Sequence, residues 1–188
     1  PATWPNTGIG RINPDGSKGS CAACHSRHQF SAAQARQPEN CGKCHMGPDH
    51  PQMEIYNESK HGIAYRANRE KMNMDSAKWI VGEDYYVAPT CATCHMSATR
   101  KQGLTHNVGD RLSWNNRPPV SKKQGWVEGT VGWEDRRDKM KDVCSACHEE
   151  GWVDNWYMQY DGMVEMYNRK YGKPGLKLMA AAKPLIKG

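Results

Sequence analysis

"CGKCHMGPDH", Cys41–His50, sets two cysteines two residues apart, closes the pair with His45, and adds a second histidine, His50, behind Asp49. The first half of this stretch recurs. "CAACH" (Cys21–His25), "CATCH" (Cys91–His95) and "CSACH" (Cys144–His148) have the same form, and the four pairs use all eight cysteines. C-x-x-C-H is the attachment site of c-type haem: two thiols add to the vinyl groups, and the next side chain is held under the iron, where imidazole is a good axial ligand. Zinc knuckles and redox disulfides also use CxxC pairs, but neither requires a histidine directly after the second cysteine. Only 8 of 188 residues are histidine. Four accidental placements then have a probability on the order of 10⁻⁶ to 10⁻⁵ for a motif that specifies the position. The spacing therefore predicts four covalent haems c on Cys21, Cys24, Cys41, Cys44, Cys91, Cys94, Cys144 and Cys147, with His25, His45, His95 and His148 on the irons.

Composition agrees. Ile, Val, Leu and Phe together supply 21 of the 188 residues, a share at which a charged chain is suspected of disorder. Yet the chain carries 7 Trp, 8 Tyr and 10 Met, which disordered chains lack. It reads as a polypeptide that folds around something apolar it does not encode, and Trp, Tyr and Met pack well on flat macrocycle faces. The formal net charge of +6 is offset by haem propionates, which basic side chains serve first. The pI of 8.9 is then no argument for nucleic acid. A mean hydropathy of −0.89 without a long apolar run leaves no candidate for a transmembrane helix. Covalent haem attachment implies export, so a periplasmic or extracellular location is expected. The opening "PATWPNTGIG" reads as a processed start or as part of something longer.

Three regions follow. Residues 1–20 are expected to be an extended N-terminal segment, 21–130 a haem-binding region with three haems, and 131–188 a helical region with the fourth motif and C-terminal helices. "SAAQ" (Ser31–Gln34) has the form of a capping box, with Pro38 ending the short helix. "PQMEIYNESKHG" predicts a helix from Pro51 that stops at Gly62, with a second segment to about Met72. Residues 97–132 read as loop. "WEDRRDKMKDVCSACH" predicts a helix with acids early and lysines later. The next helix spans about 151–171, where Trp152, Trp156, Tyr160, Met163, Tyr167 and Tyr171 recur at helical spacing to cover a haem or a neighbouring helix, and "YGKPG" ends it. No strand pattern is found. The fold class is mostly α with extensive irregular loops, a multihaem cytochrome c architecture.

The remaining histidines are His28, His50, His61 and His106, candidates for second axial ligands. A ligand reaching the far side of its own haem must travel about 20 Å of chain, at about 3.5 Å per residue at most. His28 trails His25 by three residues, or about 10 Å, and must serve a neighbouring haem or none. His50 trails His45 by five, about 17 Å, so the two cannot share an iron. His61 and His106 have tethers long enough for their own or another haem.

"CHSRHQFSAAQARQPENCGKCHMGPDH", "YNESKHG", "APTCATCHM" and "THNVGDRLSW" resemble the octahaem hydroxylamine oxidoreductase family over roughly residues 19–171, in order and spacing. The matched block corresponds to the last four of that family's eight haems. By this resemblance Asp49 and His50 bind no iron; they fall on the family's distal-pocket pair, which handles protons of the nitrogen compound on the catalytic haem. That haem is attached ahead of the matched block. The resemblance thus implies an N-terminal haem-bearing half or second chain, a redox partner protein and a homotrimer. A pocket tyrosine of the family falls on Arg117. Members lacking the family's C-terminal tyrosine cross-link, which has no match in these residues, are associated with reduction of nitrite or hydroxylamine. The chain is then expected to be part of a multihaem oxidoreductase. The alternative is a self-contained tetrahaem electron carrier, in filament form or not, in which His50 would bind an iron.

Overall fold

A computed structural model describes residues 21–112 and 133–185; the expected extended segment 1–20 and the part of the expected loop after Leu112, with Arg117, lie outside them. The described residues are helical with long irregular connections. They contain one isolated bridge, Val81 to Tyr85, and no strand.

Helix α1 (Ala32–Arg36) begins where expected, with the Ser31 hydroxyl accepting from Gln34 N at 3.1 Å. Pro38 then opens α2 (Pro38–Gly42), its ring filling a first-turn position that needs no N–H. The single helix expected from Pro51 to Gly62 is two: α3 (Gln52–Glu58) and α4 (Lys60–Ala67). Ser59 breaks the run with extended backbone, φ −71° and ψ 158°, and caps α4 by accepting from Gly62 N at 3.1 Å. Gly62 therefore lies inside the first turn of α4 and is no stop signal. Its missing Cβ is what lets the helices fold against each other, because that atom would stand 2.0 Å from the Tyr56 carbonyl oxygen. A 3-10 turn, Arg69–Met72, completes the segment and ends on Asn73 in the left-handed region.

The apolar core gathers around residues 72–92. Tyr65, Met72, Trp79, Val81, Tyr85, Ala88 and Ala92 are buried together with Val143 from the C-terminal part. Trp79 holds φ 50°, a strained value for a bulky side chain. Its indole N–H donates to Met72 O at 2.8 Å, its ring stacks on Tyr85 at 4.4 Å, and the Arg36 guanidinium lies over it at 4.9 Å. Trp79→Ala is expected to cost about 3–5 kcal/mol, read by urea unfolding of the haem-loaded protein with its haem content unchanged.

Helix α5 (Cys91–His95) is the third CxxCH motif itself, started by a capping box between Thr90 and Thr93. Helix α6 (Trp133–Ser145) has Glu134 and Asp135 in its first turn, and stops three residues short of the predicted His148. Helix α7 (Glu150–Tyr167) does not end at "YGKPG": a π-turn, Asn168–Gly172, leads into α8 (Lys173–Ala182). Pro174 falls in the first turn of α8, where a missing N–H is harmless. Arg137 joins α6 to α7 through Asp161 at 2.7 Å and lies 4.8 Å over the Tyr157 ring. Of the aromatic stripe, Tyr160 is half-buried, while Trp152, Trp156, Met163, Tyr167 and Tyr171 face outward. No described helix is long and apolar enough to cross a membrane.

Candidate functional site

Each C-x-x-C-H is wound into one helical turn. His25 N donates to Cys21 O at 2.9 Å, His45 N to Cys41 O at 3.0 Å, and His148 N to Cys144 O at 3.0 Å, while Cys91–His95 is an α-helix throughout. A turn of this pitch puts residues i, i+3 and i+4 on one face. The two thiols and the imidazole of each motif are thereby presented together, as attachment to one flat macrocycle requires. All eight cysteines are unbridged. Among the described residues no three His, Cys, Asp or Glu converge as a metal cluster.

The motifs lie next to one another in sequence order. Burial pushes the Cys24 thiol up, and Cys41 and Cys44 add to it. Cys41 and Cys91 lie against each other, and their interaction pushes the first thiol up and the second down. Burial pushes Cys94 up to about 12, with Cys144 adding to the rise. In the thioether form none of these sulfurs titrates; the interactions mark proximity of motif one to two, two to three, and three to four. Helices α1 and α2 both pack on α5, and α5 packs on α6, which fixes this succession.

His25 Nδ1 stands 3.1 Å from the Ser31 carbonyl. Donation to that oxygen fixes the tautomer and turns Nε2 outward for a metal. His95 is pushed toward its neutral form by burial, opposed by the Val108 backbone and reinforced by Arg111 and His45. Partial burial of the ring, and then His148, lowers the His61 imidazole, toward the neutral state in which imidazole binds metal.

His61 and His148 carry the most specific geometry. They are 87 positions apart, yet their ring centroids lie 6.1 Å apart at 49°. A metal–imidazole bond of about 2 Å puts two imidazoles on opposite sides of one ion with centroids about 6 Å apart. His61 is presented by the first turn of α4 and His148 by the turn after α6. Trp152 stacks on His148 at 4.5 Å, so the aromatic stripe of α7 begins at this centre. The donor set and spacing would suit a haem held by Cys144, Cys147, His148 and His61.

His28 and His106 are exposed, and among the described residues neither ring meets another histidine ring. Asp49 and His50 are exposed on the loop between α2 and α3. That loop is tied at both ends: Gly47 N donates to the Glu54 carboxylate at 3.1 Å and Met53 N to His45 O at 3.0 Å. Helix α3 is preceded by Pro51 with no side-chain cap, so Asp49 does not serve as its cap.

Two residues, Arg111 and Arg36, escaped sequence reading, and a third, Gly62, was read only as a helix stop. Arg111, 1% exposed, caps α5 by donating to Thr93 O, Cys94 O and Ser97 O. Gly62 permits the approach of α4 to α3, and Arg36 donates to Met74 O and Ser76 O across the core. An arginine in a loop carries no local mark of a backbone cage, although "KHG" did place a glycine beside a candidate ligand.

Residues 14–171 match the family described as seven times multi-haem cytochrome CxxCH. A probable nitrite reductase-hydroxylamine oxidoreductase fusion protein of Kuenenia stuttgartiensis is 37% identical over 184 residues, covering 79% of this chain and 21% of that protein. Among solved structures, a hypothetical multiheme protein superposes with a TM-score of 0.69 at 29% identity over 98% of this chain and 49% of its own. A reducing HAO-like protein complex of Kuenenia stuttgartiensis superposes with a TM-score of 0.63 at 30% identity, over 78% of this chain and 33% of that one. The chain thus spans about a fifth of the curated relative and at most about half of the solved chains it matches.

Proposed function

Because the chain belongs to the multihaem cytochrome CxxCH family, we propose that it carries four haems c and passes electrons to or from the reaction centre of a larger enzyme. The haems are bonded at Cys21/Cys24, Cys41/Cys44, Cys91/Cys94 and Cys144/Cys147, with His25, His45, His95 and His148 as proximal ligands. His61 is the distal ligand of the fourth haem, and His28 and His106 serve neighbouring haems. The observation that carries this reading is the 6.1 Å spacing of His61 and His148. The succession of adjacent motifs supports a wire, since close packing of redox centres is what stepwise transfer needs.

The rest of the enzyme is an N-terminal haem-bearing half, on the same polypeptide or on a second chain, and the assembly is a homotrimer in the periplasm or outside the cell. The fusion relative and the reducing HAO-like complex support this division and favour reduction of nitrite or hydroxylamine. In that direction electrons and protons must reach the nitrogen compound together. The four haems bring the electrons; Asp49 and His50, on their tethered exposed loop, complete the pocket from this side and supply the protons.

The test is turnover of nitrite and hydroxylamine by the native assembly with a reduced dye as donor. His50→Asn is expected to lower turnover about a hundredfold while haem content and the visible spectrum stay unchanged. Unchanged turnover would remove the pocket role. Isolation as a lone chain with every iron six-coordinate and no turnover would favour the self-contained carrier.

A further inference from the structure

Arg111 is the largest charged side chain sealed in the core, and capping alone is a weak reason to bury a guanidinium. Helix α5 is one turn long, and its end carbonyls could be satisfied by water or by a lysine at the surface. Instead a permanent cation is 1% exposed. Its amino groups donate to Thr93 O at 3.4 Å, Cys94 O at 3.1 Å and Ser97 O at 2.6 Å. Among the described residues its Nε has no partner and no carboxylate lies at ion-pair distance from it. Burying a charge without a counter-ion is costly.

On the reading that Cys91 and Cys94 hold a haem, we infer that Arg111 sets the potential of that haem, keeping its iron easier to reduce than it would otherwise be. The guanidinium is bonded to the carbonyl of Cys94, the residue next to the proximal ligand His95. Ferric haem has one more positive charge than ferrous haem. A fixed cation at this range opposes the ferric form more, and a dry environment leaves that opposition unscreened. The groups facing Arg111 with the opposite sign are Asp110 and Asp142. Asp110 is already bound by Lys139 at 2.9 Å. Asp142 accepts from Thr99 and from Gln102, with Lys101 3.9 Å away. The partial negative charge of the α5 carbonyls is short-ranged and is offset by the guanidinium it holds. Among these protein groups the Arg111 guanidinium is the charge left without a counter-ion of its own at the third motif. Placed between the second and fourth motifs, an easily reduced haem would hold an electron inside the wire until the reaction centre draws it.

The experiment is a spectroelectrochemical titration of the native assembly, with peptide mapping of haem attachment in each variant. In Arg111→Gln the ferrous-to-ferric ratio of one haem at fixed ambient potential should fall about tenfold, 59 mV for a one-electron couple. Arg111→Lys should leave that step near its original position. Asp110→Asn, which leaves the cage intact and frees Lys139 from its partner, should move the same step upward, and it decides the matter if Arg111→Gln fails to mature. The proposal is overturned if Lys and Gln at 111 displace the step equally, or if Asp110→Asn leaves every step in place. A peptide carrying Cys91 and Cys94 without haem would instead overturn the reading beneath it.

Discussion

Made without haem, the polypeptide is expected to lose cooperative folding. Nine apolar residues are buried among those described, and eight of them form one cluster near Trp79. Against these stand sixteen large apolar side chains at the surface, among them Phe30, Ile55, Ile63, Leu104, Trp152 and Trp156. A chain of this size normally stabilises itself by burying most of its apolar surface; here part of the exposed apolar surface, Phe30 and Trp152, borders motif histidines. His25 stacks on Phe30 at 4.3 Å and His148 on Trp152 at 4.5 Å, so apolar side chains flank the proposed iron ligands and offer faces to a macrocycle. Haem-free chain should show reduced helicity, no sigmoidal urea transition and strong binding of a hydrophobic dye. The haem-loaded protein should unfold in a single sharp transition. A haem-free chain that melts as sharply as the loaded one would mean that the protein part suffices.

His61→Ala should open the sixth position of one haem while the ligation of the others stays unchanged. The expected signs are a high-spin ferric signal from about one iron in four, new carbon monoxide binding, and recovery of the low-spin spectrum on adding imidazole. Gly62→Ala should do the same without touching the ligand. Its Cβ would stand 2.0 Å from Tyr56 O and 2.8 Å from the Tyr56 carbonyl carbon. Backbone cannot yield by that much in place, so the first turn of α4 must swing out and take His61 away from His148. Ile63→Ala, at a position 53% exposed in the same turn, is the control and should leave the spectrum alone. If Gly62→Ala retains a fully low-spin spectrum, the close approach of α3 and α4 does not position the ligand.

Local chemistry was legible in the sequence and long-range pairing was not. Cys-x-x-Cys-His specifies its own turn, and Ser31 and Pro38 mark helix boundaries by side-chain and ring chemistry that acts within four residues. Gly62 was misread because a glycine near a helix end has two uses, stopping the helix and admitting a close neighbour, and only the position of Tyr56 O tells them apart. "YGKPG" was misread for a related reason: proline is excluded from helix interiors but welcome in a first turn, and the intervening π-turn gives it one. Chain reach could exclude His28 and His50 from their own irons, yet it left His61 unassigned because a long tether permits many partners. The left-handed backbone at Trp79 and the cage around Arg111 depend on segments distant in sequence, and no local pattern encodes them.

The mass of the intact mature chain tests whether porphyrin organises this polypeptide. The polypeptide alone is 21.2 kDa, and four covalent haems add about 2.5 kDa. A single species heavier by that amount, with no thiol open to alkylation, is the predicted result. A colourless protein at the mass of the bare polypeptide, its cysteines free, bridged or on zinc, would contradict it.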